Sequence, residues 1–137
     1  AGKFLVALEE LDLGLRARPG HPILGFGSVH ASVITGGEEL SSYPARCLIR
    51  LERRTIPGET ADSTEAELQA IIDRIAATDP AFKATVTRGL ARPPFEIGRD
   101  EPIVETLRAA TTDRMGVAPA WRGEPFWMID SRLMLCS

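Results

Sequence analysis

Apolar residues at Phe4, Leu8, Leu11 and Leu15 recur at helical spacing and predict a helix over about Gly2 to Arg16, stopped by Pro19-Gly20. No capping residue precedes it, which is the expectation for a chain that starts inside a larger domain. His21-Pro22 to Gly27 is punctuated by Pro and Gly and reads as a loop. The pattern then changes to alternation. Val29, Ala31 and Val33 are expected on one side of a strand spanning Ser28 to Thr35, with Ser28, His30 and Ser32 on the other. After the Gly36-Gly37 break and a polar turn, Tyr43, Ala45, Cys47, Ile49 and Leu51 predict the core face of a second strand, from Tyr43 to Glu52. Its other face carries Arg46, Arg50, Glu52 and Arg54 together with Leu48.

Pro57-Gly58 turns the chain, and Asp62 with Glu65 is expected to cap a second helix whose apolar stripe is Leu68, Ile71, Ile72 and Ile75. Phe82, Ala84, Val86 and Leu90 alternate with Lys83, Thr85 and Thr87, predicting a third strand. Asp100-Glu101-Pro102 opens a third helix with Ile103, Leu107 and Ala110 on its apolar face, and Gly116 closes it. Trp121, Phe126 and Trp127 then cluster ahead of Leu133-Met134-Leu135 without a clear period. Helix, strand, strand, helix, strand, helix makes an α+β chain. The expected architecture is a two-layer sandwich, a small antiparallel sheet with helices on one face. One more strand ahead of the first helix would complete the ferredoxin-like βαββαβ plan, and that first strand is missing here.

Composition narrows the functional classes. The chain has 137 residues, 44% of them hydrophobic and 26% charged, enough to bury a core without metal or disulfide staples. A net charge of -3 leaves no basic footprint for nucleic acid. RNA binding on the open sheet face would need stacking aromatics where Ser, His, Arg and Glu stand instead. There is no apolar run of membrane-spanning length and no secretory signal, so a cytoplasmic setting is expected. Cys47 and Cys136 have no metal-ligand spacing; Cys47 is expected as a buried, reduced thiol, and His30 as a surface or interface histidine. Only two of the 16 basic residues are Lys and Asn is absent, a bias that either a GC-rich genome or heat tolerance produces.

Three pieces in order carry a resemblance: Gly36-Gly37, Ser42-Tyr43-Pro44-Ala45-Arg46-Cys47, and Glu52-Arg53-Arg54-Thr55-Ile56-Pro57-Gly58-Glu59. With them the chain resembles the dimerisation, or lid, domain of the aminoacylase, carboxypeptidase and desuccinylase family of dinuclear-zinc metallopeptidases. The resemblance covers about Ala1 to Met115. It implies a lid and dimerisation domain over residues 1–117, and over residues 118–137 the start of a return segment into an absent catalytic domain, carried by Gly123-Glu124-Pro125-Phe126-Trp127.

The resemblance also implies roles. Arg54, with Pro57 three residues on, would reach the free carboxylate of a substrate, a task that suits a planar two-pronged donor. A structural ion pair with Glu52 or Glu59 is the competing reading, and Arg53 falls on the core-facing parity. Ser41 stands where many members carry a substrate-contacting Asn, and its hydroxyl cannot copy both amide hydrogen bonds. Strand 28–35, with Val29, Ala31 and Val33, would be the edge through which two copies pair as a homodimer. The metal-binding and general-base residues of the family match nothing here, so no cofactor is expected in this chain. Two zinc ions are implied for the catalytic domain, and the chain alone is expected to be inactive. The alternative is a stand-alone ferredoxin-like module that binds or senses a small molecule.

Overall fold

The computed structural model describes residues 1–123 and, as backbone alone, 128–136. Glu124 to Trp127, most of the motif that carries the resemblance to a return into a catalytic domain, lie outside the described residues. Among the described residues, three helices and four strands follow one another as α1 (Gly2–Ala17), β1 (Ser28–Gly36), β2 (Arg46–Arg54), α2 (Ala61–Thr78), β3 (Lys83–Arg88), α3 (Pro102–Met115) and β4 (Met128–Cys136). The strands form one antiparallel sheet in the order β1-β2-β4-β3. The architecture is α+β, as the periodicities predict. A fourth strand that the periodicities do not predict, β4, lies between β2 and β3, antiparallel to both.

The core lies between one face of the sheet and the pair α1 and α2. Helix α1 contributes Phe4, Ala7, Leu8 and Leu15, and α2 contributes Leu68, Ile71, Ile72 and Ile75. Beneath them sit Val29 from β1 and Ile49 and Leu51 from β2, with Ala84 and Val86 of β3 half-buried against the same cluster. Fully burying a side chain of this size is worth roughly 1.5–3 kcal/mol, so these few positions fix how both helices lie. Ion pairs at the solvent edge, Arg74 with Glu10 at 2.8 Å and Lys3 with Asp79 at 2.7 Å, also connect α2 and its C-terminal end to α1.

Four local expectations are corrected. Strand β2 starts at Arg46, and Tyr43 stands fully exposed in the β1–β2 connection instead of in the core. In β1 the register shifts between Ala31 and Val33, leaving Ser32 as an extra residue. Val29 and Ala31 oppose Arg53 and Leu51 on the core face, but Val33 opposes Arg50 and Ile34 takes the place across from Ile49. The cap of α2 is Thr60, whose hydroxyl accepts from the Ser63 N–H at 3.1 Å while Ser63 Oγ accepts from the Thr60 N–H at 3.0 Å. Asp62 and Glu65 instead hold Arg88 of β3, at 2.6 and 2.5 Å. Finally, α3 begins at Pro102 and ends at Gly116, which takes the left-handed conformation at φ 73°, yet it buries none of its residues. Ile103 and Leu107 are each 66% exposed.

A single side chain anchors the start of the edge strand to α1. The Val29 N–H donates to Asp12 Oδ1 at 3.0 Å, and Arg16 donates to Asp12 Oδ2 at 2.8 Å. Burial pushes the Asp12 carboxyl up, but the Val29 and Arg16 hydrogen bonds outweigh it and hold the group below its ordinary value. A depressed carboxyl stabilises the fold above its unfolded pKa, roughly 3.9, and loses that contribution as pH falls through the folded value. In urea unfolding, Asp12→Asn should therefore lose about 1 kcal/mol at pH 7. That difference from the wild type should shrink once the pH falls below about 4.

Candidate functional site

Consecutive residues of a strand point to opposite faces, so Arg53 and Arg54 at the end of β2 must part. Arg53 turns into the core, where it is 1% exposed. Its guanidinium donates to the Arg54 carbonyl and to Glu59 Oε1, both at 2.5 Å, and its Nε lies 3.5 Å from Glu67 Oε2 on α2. That last pair is close enough for an ion pair but makes no hydrogen bond, and both atoms are otherwise unpartnered among the described residues. Glu67 meets a second cation through its other oxygen, 2.7 Å from Arg18 beyond the end of α1. Glu59 meanwhile accepts the Ile56 N–H at 2.9 Å, which closes the turn Ile56-Pro57-Gly58-Glu59. Gly58 has φ 94° there, a conformation that favours glycine. Gly27 is required for another reason: a Cβ on it would sit 2.4 Å from Arg53 Nη1 and 2.9 Å from Glu59 Oε2.

Arg54 turns the other way, onto a cavity of about 640 Å³. Glu52 receives its Nε at 2.7 Å, and the terminal amino groups of the same planar fork have no hydrogen-bond partner among the described residues. The floor and walls come from the 21–28 loop, the turn after β2, the 94–99 segment and residues 121–123. Ile23, Leu24, Phe26, Ile56, Phe95 and Ile97 make much of this lining apolar, and Arg99 and Arg122 bring two further guanidinium groups.

His21 binds two of these walls together. Its Nδ1 accepts the N–H groups of Ile23 and Leu24, each at 3.2 Å, so the ring proton sits on Nε2, which donates to Glu96 Oε1 at 3.0 Å. His21 and Gly25 also exchange backbone hydrogen bonds at 2.7 and 2.9 Å. A Cβ on Gly123 would lie 2.4 Å from Leu24, so the 121–123 segment lies directly against this turn. Between the 94–99 and 121–123 segments, Arg99 lies over Trp121 with its central carbon 5.0 Å from the ring centre.

Over 93 residues, 63% of this chain and 23% of the relative, the sequence is 31% identical to a protein named acetylornithine deacetylase from Myxococcus xanthus. The chain is thus related in sequence to part of a deacetylase, and it spans about a quarter of that curated relative's length. No family model matches the chain, and no solved structure matches it.

The residues singled out from sequence do not all converge. Arg54 lines the cavity. Ser41 lies in the β1–β2 connection, where it bonds Glu39 together with Ser42 and holds that carboxyl low. Since β2 separates the two and is nine residues long, they stand on the order of 25 Å apart at roughly 3.3 Å per residue. Val29 is buried under α1, Ala31 is half-buried, and Val33 is exposed on the other face. His30 is an exposed histidine 3.8 Å from Glu52, and Cys47 is a half-buried free cysteine against the core. Among the described residues no three His, Cys, Asp or Glu side chains gather to hold a metal ion, and no helix is long and apolar enough to cross a membrane. Sequence reasoning missed His21, Arg99 and Trp121. His21-Pro22 was visible as loop punctuation, but nothing in the spacing joins it to Glu96.

Breaking the buried network should be costly, because Glu59 and Glu67 would lose their shared cation. Arg53→Met should lower the unfolding free energy by about 3 kcal/mol in urea titration. Gly27→Ala should lower it by about 1–3 kcal/mol through the collision with Arg53 and Glu59.

Proposed function

We propose that this chain is the lid and dimerisation domain of a zinc-dependent hydrolase that cleaves an amide next to a free carboxylate, and that it is not catalytic alone. The observation that carries the reading is the placement of Arg54: it faces a mostly apolar cavity while its neighbour Arg53 locks the turn that follows it. A guanidinium at an apolar wall suits the carboxylate of an acylated amino acid, because the charged end and the carbon body of such a substrate need different surfaces. The likeness to part of a deacetylase supports the reaction class. The described residues do not fit the two zinc ions that this reading implies, and the metals belong to the remainder of a longer protein. In that protein the chain's work is binding and orientation, which lower the barrier only by holding the substrate in register with chemistry performed elsewhere.

The dimer contact is proposed for β1, an edge strand of the sheet. Its Val29 N–H is already taken by Asp12, so pairing with a second copy would use the strand from Ala31 onward. Ser41 lies too far from Arg54 to share its ligand within one chain, and contact with substrate there would require the hairpin of the second copy. A second reading, a free-standing small-molecule module, draws on the fact that this one chain walls the cavity. A reading frame that continues upstream into His- and Asp-rich metal motifs separates the two in favour of the hydrolase.

Light scattering of the purified chain should report a dimer, and Val33→Lys with Ile34→Lys should convert it to monomer by placing charge on the pairing edge. A monomeric wild-type chain would remove the dimer from the proposal. With zinc added, the chain should release no product from N-acetyl amino acids, and turnover by this chain would overturn its assignment as a lid.

A further inference from the structure

We infer that the cavity beside Arg54 is a binding site in its own right for a small carboxylate with an aromatic acyl body, and that Arg99 and Trp121 belong to it alongside Arg54. The inference rests on reading Arg54 as a carboxylate donor and extends it to the rest of the recognised molecule. Three observations support it. The first is charge: Arg54, Arg99 and Arg122 line the cavity against one carboxylate, Glu96, which is already engaged by His21. A lining with three guanidinium groups and one committed carboxylate favours an anion over a neutral or cationic guest.

The second is the apolar surface left uncovered around those charges. Phe26 is 56% exposed, Phe95 74% and Trp121 38%, although all three line the same cavity. Rings grouped around a concavity of about 640 Å³ offer edge and face contacts to another flat apolar body. The third is construction. The walls are fastened to each other by the His21–Glu96 bond and by the close approach of Gly123 to Leu24, and Arg99 is held by its stack on Trp121. The contact with Trp121 restrains Arg99, and a guanidinium restrained in advance loses less freedom on meeting a carboxylate.

N-benzoylglycine is the probe, with N-benzoylglycinamide as its neutral analogue and acetate as the anion without a ring. Calorimetric titration of the whole chain should show binding of N-benzoylglycine and at least tenfold weaker binding of each control. Arg99→Met and Trp121→Ala should each weaken N-benzoylglycine at least fivefold, with circular dichroism and melting temperature unchanged because both residues lie outside the core. Arg99→Lys should recover part of the loss, since it keeps the charge but not the fork. Equal binding of the acid and the amide, or full affinity in both Arg99→Met and Trp121→Ala, would overturn the inference. If Arg54→Met alone abolished binding, the carboxylate role of Arg54 would stand and the larger site would fall. No binding by the wild-type chain would also overturn this site, while the dimerisation and turnover measurements would still decide the lid reading.

Discussion

A guanidinium that is 1% exposed has to be neutralised and hydrogen-bonded, and the need to do so for Arg53 organises this end of the molecule. Its partners come from three places in the fold: the carbonyl of its own neighbour, Glu59 in the turn that follows, and Glu67 on α2. Glu67 extends the network to Arg18, just past the end of α1. The turn after β2, the first half of α2 and the exit from α1 are thereby tied to one buried charge. Even the glycine at position 27 follows from it, because any larger residue would occupy the space of the guanidinium and its carboxylate. A network of this kind contributes little net stability compared with apolar packing of the same volume, but it permits far fewer arrangements of the chain. Its consequence is therefore geometric.

That geometry separates two neighbouring arginines into two tasks. The alternation of a strand forces Arg53 and Arg54 to opposite faces, so burying one presents the other. With the turn closed by Glu59 on the Ile56 N–H, the backbone around Arg54 is held from behind, and Glu52 holds its Nε from the side. The side chain that meets the cavity thus starts from a restricted set of positions, which lowers what binding would cost in lost freedom. This is a local device, made by the residues from Glu52 to Glu59 and a few partners brought in by α2.

Much of the fold was legible because it depends on periodicity. The stripe Phe4, Leu8, Leu11, Leu15 and the stripe Leu68, Ile71, Ile72, Ile75 became the two helices over the sheet, and Ile49 with Leu51 became its floor. The parity of β2 also placed Arg53 inward, although only the fold shows which carboxylates receive it. What escaped the pattern depends on counting errors or on distance along the chain. One extra residue at Ser32 reverses the faces of everything after it in β1, and an alternating sequence of small residues carries no mark of the slip. The cap of α2 was ambiguous because Thr60-Ser63 and Asp62-Glu65 both offer an oxygen three residues before a hydroxyl or carboxylate, and it is Thr60 that caps the helix. β4 has no clean alternation to announce it. Helix α3 formed where its caps predicted, yet its apolar stripe meets no core, since periodicity reports a face and not what covers it.

The candidate site was legible only where it touches β2. Arg54 follows from strand parity and from the Arg-x-x-Pro spacing, whereas His21 and Glu96 stand 75 positions apart and Arg99 and Trp121 lie in irregular segments. Irregular loops place such groups because they run between fixed ends: the 21–28 loop joins α1 to β1, and the 94–99 segment joins β3 to α3. Both bring their residues to the end of the sheet where β1 begins and β2 finishes, as the pairing of Ser28 with Arg54 requires. The other end of the same hairpin carries Ser41, and none of residues 37–45 lines the cavity. Placing a binding cavity at the Arg54 end is therefore a consequence of topology: it is the end at which loops from distant parts of the chain meet a guanidinium that the buried network has already set in place.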